Sequence, residues 1–128
     1  DLEADVTWQG FTEELGIQAS DIALDVLNGG HKLADRIPVM MINQPIFVAD
    51  GLNSNVRYNF WYPKWAYDRY RELLAQTAQR DNWNYVDLWD SIAPNEFTDS
   101  PVHLTPNGSQ QLSRLVGKAI SDYLNPKQ

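Results

Sequence analysis

Two stretches of the chain carry side chains of catalytic type. In "FTDSPVHLTPNG", residues 97–108, Asp99 and His103 flank Pro101 on a turn, directly ahead of a helix start at Thr105-Pro106. Loops anchored on a rigid scaffold are where proteins concentrate chemistry. A histidine placed there, with an ordinary pKa near 6.5, suits a general base. A carboxylate beside it holds the imidazole in one tautomer and stabilises the cation that forms, the third-member role of a Ser-His-Asp relay. The same residues also suit a plain surface turn, with Asp99 closing an Asx turn and His103 solvated. The residue types alone leave both readings open.

The second stretch is Arg57-Tyr58-Asn59, in a polar connection over 48–61. The guanidinium is a planar fork that matches carboxylates, so Arg57 and Asn59 are candidate contacts for an anionic or sugar-like substrate. The alternative is that Arg57 pairs with one of the chain's 17 acidic residues. Trp61, Tyr62 and Trp65 suit a sugar-stacking platform, and equally suit aromatics that anchor a helix on a sheet.

Composition narrows the classes. With 10 Lys and Arg against 17 Asp and Glu, the net charge of −7 argues against a nucleic-acid partner, because phosphate affinity comes from clustered cations. The absence of cysteine excludes disulfides and thiol catalysis and leaves the compartment open. The two histidines, His31 and His103, lie far apart without ligand spacing, so no metal site is expected, and no cofactor. His31 suits the negative end of a helix dipole. No apolar run approaches the roughly 18 residues of a membrane helix. Hydrophobic content of 43% in 128 residues fits one folded domain or part of one, here a single partial domain over 1–128. The start at Asp1 suggests a cut or processed piece.

Five elements must position those loops. Ser20 is expected to cap a helix bearing Ile22, Val26, Leu27, Gly30 and Leu33, with Asn28-Gly29-Gly30 near its end. "IPVMMIN", 37–43, reads as a strand buried on both faces. Pro63 opens a helix whose buried stripe is Ala66, Tyr70, Leu73, Leu74 and Ala78. "NYVDLW", 84–89, is the second strand, and "DVTW", 5–8, a weak candidate for a third. Thr105 caps the last helix, with Leu112, Leu115, Val116, Ala119, Ile120, Tyr123 and Leu124 on one face. Helix, strand, helix, strand, helix predicts an α/β protein with helical crossovers. Two strands would leave apolar edges bare, so the expected fold is the C-terminal portion of a larger doubly wound parallel sheet with helices on both faces, flavodoxin-like. Ligands gather beyond the carboxyl ends of such strands, at 44–62 and 90–104. The chain is expected to associate through a sheet edge or with a missing N-terminal part.

The block "FTDSPVHLTPNGSQQLSRLVGKAI" resembles the closing block of the SGNH (GDSL-type) esterase and acyltransferase superfamily. "IPVMMINQPI" and "WNYVDLWD" resemble its fourth and fifth strands, and "RYNFWYPKWAYDRYRELL" its intervening helix, in the form found in bacterial cell-envelope members. The resemblance covers about residues 20–124. It implies an ester hydrolase or O-acyltransferase acting on an acyl ester or glycan, in the cell envelope or another extracytoplasmic setting, with His103 as base and Asp99 as orienter. Two departures stand out. The superfamily spaces the pair as Asp-x-x-His, and here Asp99-Ser-Pro-Val-His103 is one residue longer. No Gly-Asp-Ser turn precedes "IPVMMIN", and at Asp90-Ser91 a tryptophan, Trp89, stands where the tight turn wants glycine. The nucleophile is therefore expected outside this chain, which alone should be inactive. The alternative is a non-catalytic domain of the same scaffold that binds glycan or a protein partner.

Overall fold

The computed structural model describes residues 1–34 and 36–125. Among them the elements run α1 (Leu24–Ala34), β1 (Met40–Asn43), α2 (Lys64–Arg80), β2 (Asn84–Asp87) and α3 (Pro106–Leu124). Single 3-10 turns precede α1 at 14–16 and 19–21 and precede α3 at 94–96. β1 and β2 lie side by side as a parallel pair, and the described residues contain no further strand.

This corrects the expected doubly wound, flavodoxin-like sheet: two four-residue strands replace it. The candidate third strand is spent on itself. Trp8 and Phe11 exchange both backbone hydrogen bonds at 2.9 Å across Gln9-Gly10, whose φ angles of 48° and 87° are both left-handed. Two central residues with positive φ make the two-residue hairpin turn. The apolar run at 37–43 also yields less strand than its composition suggests. Pro38 has no N–H for a ladder, and the N–H of Ile37 donates to Ala34 O at 2.8 Å, closing the end of α1.

The chain divides into two compact units, residues 1–41 with 49–85, and residues 42–48 with the chain from Val86 onward. In the first unit Ile17, Leu24, Ala66, Leu73, Leu74, Ala78 and Trp83 form the core. Burying a large side chain of this kind contributes roughly 1.5–3 kcal/mol each. α2 supplies most of it, since positions 66, 73, 74, 77 and 78 recur at helical spacing on one face, joined by Tyr67. Pro63 opens the helix with φ −56°. Asn82, at φ 55°, ends it. Trp83 N then donates to Ala78 O at 2.8 Å and Asn82 N to Gln79 O at 3.4 Å, the paired bonds of a Schellman cap. That cap turns Trp83 into the core one residue before β2 begins.

α1 starts later than its sequence suggests. Residues 19–21 form a 3-10 turn held by a Gln18/Asp21 capping box, so Ser20 is not the cap. Leu24 is the buried residue of α1, while Val26, Leu27 and Leu33 face solvent. Gly29 and Gly30 lie inside the helix rather than at its end. His31, in its last turn, lies 6.1 Å from the Trp83 ring.

The second unit has a smaller interior, with Pro45, Ile46, Ile92, Pro101 and Gly108 buried. Phe47 meets Phe97 edge to face at 5.9 Å. Thr105 caps α3 by accepting from Gly108 N at 3.0 Å, with Pro106 at the first helical position. Leu112, Leu115, Val116 and Ala119 are half-buried, and Ile120, Tyr123 and Leu124 are exposed at the far end of the same face.

Candidate functional site

The Asp99–His103 turn belongs to the second unit. Phe97 and Leu104 close it as an isolated antiparallel bridge. Inside that bridge Thr98 N donates to His103 O at 2.9 Å, and His103 N to Ser100 O at 3.3 Å. Ser100 Oγ accepts from Val102 N at 3.3 Å, and Pro101 O from Phe47 N at 2.7 Å. The loop thus folds back on itself and brings its two arms together. Asp99 Oδ1 and His103 Nδ1 meet at 3.1 Å.

That contact has a chemical consequence. With the proton on Nδ1, the imidazole donates to Asp99, and Nε2 presents its lone pair as the proton-accepting atom. His103 first, then the Thr98 hydroxyl, hold the Asp99 carboxyl below its ordinary value. Both side chains are open to water, His103 at 62% and Asp99 at 83% exposure. Solvent screens such a pair, so its contribution to stability is small.

Behind the turn, Glu96 anchors the start of α3. Its carboxylate accepts from the Thr105 hydroxyl and from Asn107 Nδ2, and its carbonyl accepts from Thr105 N at 2.8 Å. Thr105 first, then Asn107, hold the Glu96 carboxyl below its ordinary value. A negative charge suits a helix N-terminus. Gly108 is needed for this approach, because a Cβ there would lie 2.9 Å from both Glu96 Cβ and Glu96 O. The Asp99–His103 reading overlooked Glu96. Its signal was the glycine in "TPNG", which helix propensity disfavours by about 1 kcal/mol unless something packs closely against it.

Arg57 and Asn59 lie in the first unit, at 6% and 0% exposure. Arg57 Nε donates to Asn59 O at 3.1 Å, one terminal nitrogen to Phe60 O at 2.9 Å, and the other to Asp5 O. The guanidinium thus donates to three backbone carbonyls. The hydrogen bonds of Thr7 first, with the Arg57 charge adding to them, hold the Asp5 carboxyl below its ordinary value. Asn59 Oδ1 accepts from Trp61 N at 2.9 Å and Tyr62 N at 3.1 Å. The two side chains stitch the turn 57–62 from within.

Of the three aromatics that suit either a platform or helix anchors, Trp61 is exposed and Tyr62 and Trp65 are half-buried. Trp65 Nε1 donates to Val6 O at 2.6 Å, and Tyr62 packs on Tyr67 with centroids 5.1 Å apart. Phe60, which sequence reasoning passed over, is exposed beside Trp61 at 6.2 Å. Ser91 Oγ donates to Leu88 O at 2.8 Å, closing the turn after β2. At the carboxyl ends of the strands, buried Asn43 donates from Nδ2 to Asp87 Oδ1 at 3.0 Å, a polar link the sequence reading did not single out.

Among the described residues no cluster of three or more His, Cys, Asp or Glu is arranged to hold a metal ion, and no helix is long and apolar enough to cross a membrane. Compared with known proteins, the chain has no significant match to a family model, a curated protein or a solved structure.

Proposed function

We propose that Asp99 and His103 are the orienter and base of an acyl-transfer site, in an ester hydrolase or O-acyltransferase of the kind the closing block resembles. The nucleophile comes from outside this chain. The observation that carries the reading is the 3.1 Å contact between His103 Nδ1 and Asp99 Oδ1, which leaves Nε2 as the acceptor on an exposed ring.

The chemistry follows from that geometry. A serine-type hydroxyl gives its proton to His103 Nε2 as its oxygen attacks an acyl carbonyl. Asp99 stabilises the imidazolium, and the proton passes to the departing alkoxide. The acyl group then leaves to water in hydrolysis or to an acceptor hydroxyl, such as a glycan's, in transfer. A net charge of −7 keeps nucleic acid outside this scheme.

Kinetics test it. In a form of the protein that turns over an ester or transfers an acyl group, His103→Ala is expected to lower kcat by about 10²–10⁴-fold, and Asp99→Asn by less. An unchanged kcat in His103→Ala overturns the proposal. The chain by itself is expected to leave a short-chain p-nitrophenyl ester at the background rate, and turnover lost in Ser91→Ala would instead put the nucleophile inside it.

A further inference from the structure

Thr98 sits where the two arms of the Asp99–His103 turn meet. Its N–H donates to His103 O at 2.9 Å. Its hydroxyl lies 3.0 Å from Asp99 Oδ1 and 3.3 Å from His103 O. Asp99 Oδ1 is also the oxygen that faces His103 Nδ1. A hydroxyl has one proton to give, and the shorter contact assigns it to the carboxylate.

We propose that Thr98 is a positioning residue for the His–Asp pair: its backbone sets the span between the two arms, and its hydroxyl fixes which carboxylate oxygen meets the imidazole. An exposed aspartate otherwise moves among several rotamers. Two donors on one carboxylate oxygen fill its two lone-pair directions and hold the group in one orientation. Thr is β-branched with a restricted χ1, so the hydroxyl direction is tied to the backbone. A carboxylate held in this way keeps the imidazole proton on Nδ1 and the lone pair on Nε2. The functional meaning of the inference rests on the base-and-orienter reading above, and its geometry stands apart from it.

The experiment compares the native chain with Thr98→Val, which keeps the shape and removes the donor, and with Thr98→Ser, which keeps the donor. Ring ¹⁵N shifts of His103 report the tautomer, and the side-chain ¹³C shift of Asp99 reports its titration. Thr98→Val is expected to reduce the Nδ1–H tautomer and move the Asp99 titration upward, and Thr98→Ser to restore most of both. Thermal unfolding should be the same in all three. Unchanged tautomer and titration in a folded Thr98→Val chain overturn the inference. If Thr98→Val does not fold, Thr98→Ala is judged by the same two signals. Neither signal involves turnover, so failure here leaves the His103→Ala kinetics to decide the wider reading, and failure there leaves Thr98's contacts measured.

Discussion

In the loop after β1, Arg57 and Asn59 are buried at 6% and 0% exposure, and their polar atoms are tied to backbone groups of Asp5 and of residues 59–62. In the loop after β2, Asp99 and His103 are 83% and 62% exposed and bond chiefly to each other and to Thr98. The residue types are equally suited to chemistry, and burial separates their roles. A buried polar side chain must spend its hydrogen bonds inside the protein, because an orphaned donor or acceptor costs about 1–3 kcal/mol. Arg57 spends its donors in this way, on three backbone carbonyls. An exposed pair adds little to stability. The second loop takes its rigidity from a separate set of contacts, the Glu96, Thr105, Asn107 and Gly108 cluster at the start of α3.

Substitutions can break this contrast at either end. The largest effect is expected at Arg57. Arg57→Met removes three hydrogen bonds and leaves the carbonyls of Asp5, Asn59 and Phe60 without that donor, a loss of roughly 2–5 kcal/mol. Lysine is not expected to rescue it, since an ammonium has no planar fork. Chemical denaturation measures the loss, and a change too small to detect would mean that the turn 57–62 holds without its internal stitching.

A smaller effect is expected at Gly108. Its Cβ in Gly108→Ala would have to displace Glu96, at a cost of about 1–3 kcal/mol for overpacking. Adding a methyl group elsewhere on α3, at Gly117, meets nothing within 4 Å. Equal unfolding midpoints for Gly108→Ala and Gly117→Ala would show that Glu96 yields freely.

The smallest effect on stability belongs to the exposed pair itself. His103→Ala should leave the denaturation midpoint unchanged, while the Asp99 carboxyl, freed of the main group that lowers it, titrates closer to its ordinary value. The sign of the linkage is set by the depressed carboxyl. Its contribution is present above the unfolded value and lost as pH falls through the folded one, so any small difference between native and His103→Ala chains lies above the carboxyl range and disappears in acid. A carboxyl titration unmoved by His103→Ala would mean that the pair does not form in solution.

Much of the scaffold was readable locally. Pro63 at the start of α2, Thr105 before Pro106, and the 3.6-residue recurrence of Ala66, Leu73, Leu74 and Ala78 each act within a turn or two of the chain, and the structure places both helices there. The pairing of Asp99 with His103 was suggested too, because only Ser100, Pro101 and Val102 lie between them, on a turn. What the sequence misjudged depends on which partner each segment finds, near or far along the chain. The number of strands is set by pairing, and Trp8 paired with Phe11 across Gln9-Gly10 instead of joining β1 and β2. The burial of Arg57 depends on Asp5, 52 residues away, and Val26 and Leu33 of α1 face solvent although they recur at helical spacing.

Sequence by itself determined where α2 and α3 start and stop and which side chains share a turn, because caps, prolines and periodicity act over a few residues. Tertiary structure alone decided which of two similar polar loops would be interior and which would face water. A hydrogen bond or an ångström of solvent exposure is settled by atoms that the chain brings together from far apart.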